Sequence, residues 1–119
     1  MARELQITQR EVGKVTVIVL TGALVYEEAA QLRAAVTAAV HADARAFLLD
    51  LEQITRLDSS GIGLLVAMFR HVTRHGGQLK LLRPSATARR VLGISHMTMV
   101  FDIFDDETEA LLNLGRLEA

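Results

Sequence analysis

The sequence contains no cysteine. Disulfides, zinc–thiolate sites and cysteine nucleophiles are therefore excluded. It has no tryptophan, one tyrosine and four phenylalanines, so platforms for stacking bases are scarce. A basic surplus is missing too. The formal net charge is -1, whereas proteins that neutralise phosphate backbones usually carry excess Lys and Arg. Together these shortages argue against direct nucleic-acid binding. Apolar runs stop at five or six residues, far short of the roughly 20 needed to cross a bilayer. The opening stretch "MARELQITQREVGK" has no apolar signal core. No membrane insertion is expected, and the cytoplasm is the expected location.

What is present is core material. Half of the 119 residues are hydrophobic and 23% are charged, which fits one domain spanning 1–119. "ELQIT" (4–8) alternates, and "KVTVIVL" (14–20) is β-branched and apolar on both faces. With Gly13 between them, a hairpin with an interior second strand is expected. "TGALVYEEAAQLRAAVTAAV" (21–40) begins with a glycine turn and continues at helical spacing through Leu32, Val36 and Val40. Glu27 and Glu28 suit the first turn of that helix, where the dipole favours negative charge.

"AFLLDL" (46–51) reads as a short buried strand, and "EQITRLD" then leads to two serines. A helix is expected from about Ser60 to Arg74, with Ile62, Leu65, Val66, Phe69 and Val72 as its core stripe. "HGG" (75–77) ends it. A strand (78–82), a short helix after Pro84 and Ser85, a short strand within 99–104 and a last helix (105–117) complete the chain. The order β-β-α-β-α-β-α-β-α predicts an α/β fold. It has a mixed central sheet of four to five strands and about four helices packed against it.

Few residues carry a catalytic pattern. A nucleophile elbow needs G-x-S-x-G, and the order here is S-S-G-I-G. His71 and His75 share a helix face at the zinc-protease spacing. Val72 stands where the glutamate should be, and Arg70 and Arg74 add positive charge. A polar, solvated face is the better reading. Neither a catalytic residue, a metal nor a cofactor is expected.

The unusual stretch is "DSSGIG" (58–63). Its bland reading is a helix cap, with Asp58 or Ser59 accepting from free backbone N–H groups. Yet a glycine inside a helix costs about 1 kcal/mol against alanine, and Gly61 and Gly63 both lie in the first turns. One compensation is a bare surface that another backbone approaches. Leu64 and Met68, four apart and largely off the core stripe, then read as an apolar strip for docking. A phosphate on a serine here meets the positive end of a helix dipole and brings about -1.5 to -2 charges.

"TGAL" after the second strand, "LLDLEQITRLDSSGIGLL" and "GGQLKLLRPSATARRVLGIS" resemble the STAS domain family, in particular bacterial anti-sigma factor antagonists. The resemblance covers about residues 4–114. It implies a binding module, not an enzyme. Ser59, directly after Asp58, would accept phosphate from a partner that is both serine kinase and anti-sigma factor. Unphosphorylated, the chain would bind that partner and free a sigma factor, and a PP2C-type phosphatase would restore binding. Asp58, Ser60, Gly61, Gly63, Leu64 and Met68 would form the partner surface. Where relatives often carry an aspartate shortly after the T-G turn, this chain has Val25, with Ala23 also replacing an acid. The alternative within the family is a scaffold or sensory module, or a small subunit of a lipid-transport system, without the switch.

Overall fold

In the computed structural model, residues 5–25 and 29–118 are described. Strand β1 (Leu5–Val12) and strand β2 (Val15–Leu24) form an antiparallel hairpin. Gly13 opens its two-residue turn at φ +61, where a side chain would be strained. Helix α1 (Ala29–His41) crosses over to β3 (Ala46–Leu57), and α2 (Ser59–Arg74) crosses over to β4 (Gln78–Leu82). Then come α3 (Ala86–Ile94), one 3-10 turn at Met97–Met99, β5 (Ile103–Phe104) and α4 (Glu107–Glu118).

The sheet order is β1-β2-β3-β4-β5, parallel except for the β1–β2 pair. The expected element order and mixed sheet are what the chain forms. Boundaries differ. "TGAL" continues β2 rather than making a turn, and β3 runs through Leu57 instead of stopping at Leu51. The extension is irregular, because the β2–β3 register shifts between Val19 and Thr21 and again between Gly22 and Ala23. Glu27 and Glu28, expected in the first turn of α1, lie outside the described residues.

The two sheet faces are unequal. One buries Ile18, Leu20, Phe47, Leu49, Leu79 and Leu81 under α1, α2 and α3. The other buries Val15, Val17, Leu48 and Leu82 against Ala110 and Leu114 of α4. The parallel strands therefore read as continuous apolar runs, as sheets covered on both faces do.

An ion pair ties the middle of β3 to the residue that follows β4. Asp50 is 6% exposed, and Arg83 donates to its Oδ2 at 3.0 Å. Asp50 Oδ1 also accepts from the Glu52 backbone N–H at 3.1 Å. The hydrogen bond to Asp50 raises the Arg83 pKa, against the opposing effect of burial, and Glu52 and Glu107 add to the rise. Glu107 in turn pairs with Arg10 at 2.6 Å. Arg83→Met should destabilise the protein by about 1–3 kcal/mol, below the usual cost for a fully buried pair because water reaches the guanidinium. Adding Asp50→Leu should recover part of that loss, since no lone carboxylate remains. Urea titrations of the two variants measure both, and a double variant no more stable than Arg83→Met would contradict the account.

Candidate functional site

The site is built where β2 ends, β3 ends and α2 begins. Leu24 of β2 pairs with Leu57 of β3, the last residues of the two strands, and Val25 and Asp58 follow them in the chain. This is the C-terminal rim of the parallel strands, the usual place for ligands and partners in open α/β sheets.

Asp58 is the N-cap of α2, with extended backbone at φ -117 and ψ -176. Its carboxylate accepts from the Gly61 N–H at 2.9 Å, and its carbonyl accepts from the Ile62 N–H at 3.0 Å. The cap is therefore Asp58 and not Ser59. Ser59 becomes the first helical residue, exposed, with its hydroxyl not needed to start the helix. Ser60 is half-buried beside it, and so is Val25.

The other named residues fall differently. Leu64 is 8% exposed and Met68 is 2% exposed, both packed in the main core with Leu65 and Val72. The expected docking strip is corrected: these two side chains are buried in the core and cannot meet a partner. The core stripe is also wider than expected. It takes in Gly61, Ile62, Leu64, Leu65, Met68 and Val72, while Val66 and Phe69 are only half-buried. The reason is that α2 packs against more than the sheet. Helix α1 flanks it on one side, and on the other Phe69 meets Phe101 edge-on, with ring centroids 5.4 Å apart.

Gly61 needs correction as well. A Cβ there would stand 2.2 Å from the Leu24 carbonyl oxygen and 2.8 Å from Leu57 Cδ1. The glycine gives clearance to the protein's own β2 strand, not to a visitor. Gly63 is exposed, and a Cβ there would meet nothing within 4 Å.

Along an α-helix, positions +4, +7 and +11 from Ser59 share its face. These are Gly63, Val66 and Arg70, which are exposed, half-buried and exposed. This outward line, rather than Leu64 and Met68, is the surface contiguous with Ser59. A helical wheel centred on Ser59 instead of on the core would have found it.

His71 and His75 are joined by no third ligand side chain among the described residues. Among the described residues, no group of three or more His, Cys, Asp or Glu side chains is placed to hold an ion. His75 Nδ1 instead donates to the His71 carbonyl at 2.8 Å. His71 is half-buried, so the expected solvated face holds for only part of the pair.

A family model described as "STAS domain" matches residues 6–110. The chain belongs to the STAS domain family. An "Anti-sigma F factor antagonist" from Lysinibacillus sphaericus is 33% identical over 93 residues, which cover 77% of each chain. A protein of the same description from Paenibacillus polymyxa is 27% identical over 67 residues, and the match spans only 57% of that relative's length. Among solved structures, the anti-sigma factor antagonist SpoIIAA in its unphosphorylated form has a TM-score of 0.77 at 28% identity, covering 89% of this chain and 93% of that one. The Bacillus cell fate determinant SpoIIAA in the phosphorylated form has a TM-score of 0.72 at 28% identity, covering 91% and 98%. Thus this STAS chain matches a relative that keeps the fold with and without phosphate. No described helix of this STAS domain is long and apolar enough to cross a membrane.

Proposed function

We propose that this STAS domain is an anti-sigma factor antagonist whose binding is switched off by phosphate on Ser59. Its partner is a kinase-type anti-sigma factor, and a PP2C-type phosphatase resets it. The observation that carries this reading is the division of labour at the start of α2. Asp58 supplies the cap through its 2.9 Å bond to Gly61, which leaves the exposed Ser59 hydroxyl available. The names of the relatives and the two forms of SpoIIAA support it. The chain itself does no chemistry in this reading.

The partner surface is Asp58, Ser59, Ser60 and Gly63, extended along the outward face to Val66 and flanked by Val25. Phosphate at the first helical position keeps the fold, because the dipole favours an anion there even though Asp58 opposes it. It changes the surface instead. About -1.5 to -2 charges are added beside the capping carboxylate of Asp58, on a patch otherwise made of small or apolar groups, and a docked partner must then desolvate them.

Incubation with the cognate kinase and ATP should add one phosphate, mapped by peptide mass spectrometry to Ser59. Ser59→Ala should take none. Ser85 is a poor alternative acceptor, since its hydroxyl donates to the Ile54 carbonyl at 2.7 Å and accepts from Ala88 N–H at 3.1 Å. Phosphate on the exposed Thr55 would contradict the assignment and move the site there, whereas phosphate on no residue would favour a STAS module without a phospho-switch.

A further inference from the structure

The helices α1 and α2 carry an imbalance that the net charge conceals. Neither 29–41 nor 59–74 contains an Asp or Glu, while four acids crowd residues 105–109. Five basic groups gather where the two helices meet. Arg33 and His41 lie on α1, His71 and Arg74 on α2, and His75 at the C-cap of α2. The His71 and His75 rings are 4.6 Å apart.

Between the helices is a cavity of about 50 Å³, lined by Arg33, Val36, Thr37, Ala67, Met68 and His71. One water needs about 10–15 Å³ on this measure, so the cavity accepts a group of about four oxygen-sized atoms. Three of the lining residues bring polar groups: a guanidinium, a hydroxyl and an imidazole. His71 Nε2 is buried and has no hydrogen-bond partner. A buried polar atom without a partner is uncommon and marks a place where something else completes the bond.

We propose that this cavity binds a small tetrahedral oxyanion, of the phosphate or sulfate class, held by Arg33, Thr37 and protonated His71. His71 lies twelve positions along α2 from Ser59, a rise of roughly 18 Å, so an ion bound there does not touch the serine. Arg33 supplies a permanent charge and a fork of donors matched to an oxyanion. Thr37 sits one turn further along α1 and adds a hydroxyl donor. His71 supplies the second charge only when protonated.

In the empty site protonation is disfavoured. Burial lowers the His71 pKa below its usual 6.5, and His75, His41, Arg74 and Arg33 lower it further. An anion in the cavity offsets those neighbours and raises the pKa again. By linkage, the anion then binds more tightly as pH falls through the His71 titration.

Sulfate is the clean probe, because its own charge is constant across this range. The His71 ring resonances of the full chain are followed by NMR during sulfate titration at pH 5 and pH 7.5, with ionic strength held fixed by chloride. A saturable shift is expected at His71, with affinity about tenfold higher at pH 5 and the His71 pKa raised by about one unit on saturation. His71→Gln should remove the pH dependence, and Arg33→Gln should weaken binding about tenfold at both pH values. Both side chains are at least partly exposed, so the folded spectrum should persist. Inorganic phosphate and ATP compared at pH 7.5 separate a free ion, bound equally, from a phosphate carried on a nucleotide, bound more tightly by ATP. Either result supports the site. Shifts that never saturate, that spread evenly over His41, His71 and His75, or that ignore pH would overturn it.

Discussion

Gly61→Ala should unfold more readily than the natural sequence by about 2–3 kcal/mol, in the upper part of the range for overpacking a close-packed site. The added methyl carbon would sit 2.2 Å from the Leu24 carbonyl oxygen. Backbone cannot swing aside as the end of a side chain can, so the start of α2 or the end of β2 must move. Either movement also strains the Asp58 cap, whose bond goes to the Gly61 N–H itself. Two residues along, the same substitution should have the opposite sign. Gly63→Ala has open space around it and should gain about 0.5–1 kcal/mol from helix propensity. In urea the two midpoints should move apart, Gly61→Ala downward by about 1–2 M. Equal midpoints would mean that the β2–α2 contact is looser than its geometry states.

The pair also shows what the residue order reveals and what it hides. Both glycines look alike in "SSGIG", and their shared helix position suggests one shared cause. Only the packing separates them, because Leu24 lies 37 positions away and reaches Gly61 through the β2–β3 register. The strand and helix order was legible for a simpler reason: β-branched runs and helical spacing are local patterns. The length of β3 was not, since its buried residues Leu51, Ile54 and Leu57 recur every third position. That spacing imitates neither a strand nor a loop, and it arises from the register shifts against β2. Leu64 and Met68 fall outside the narrow stripe that helical spacing alone suggests, because spacing does not reveal how many neighbours a helix packs against. With α1 on one flank and Phe101 on the other, the apolar arc of α2 widens and takes both residues inside. The motif offered Asp58 and Ser59 equally as the cap, and the exposure of Ser59 follows once Asp58 is seen to hold it. The unpartnered imidazole of His71 had only its spacing from His75 as a signal, which pointed toward metals.

Ser59→Asp should weaken binding to the anti-sigma factor by about 10- to 100-fold, equivalent to about 1.4–2.8 kcal/mol. One carboxylate carries less charge than a phosphate group, so this is a lower bound on the effect of the modification. Ser59→Ala should bind about as well as the natural chain and should not respond to kinase and ATP. The contrast is informative because folding and binding are expected to move in opposite directions. An acid at the first position of α2 interacts favourably with the helix dipole, by about 0.3–1 kcal/mol. The Asp58 carboxylate nearby offsets part of that gain. Ser59→Asp should therefore melt at or slightly above the natural temperature while losing its partner. Loss of binding with a lowered melting temperature would point to damaged folding instead. Equal affinity of the Asp and Ala variants would show that the partner does not cover position 59. The docking face would then have to lie away from the line of Ser59, Gly63 and Val66.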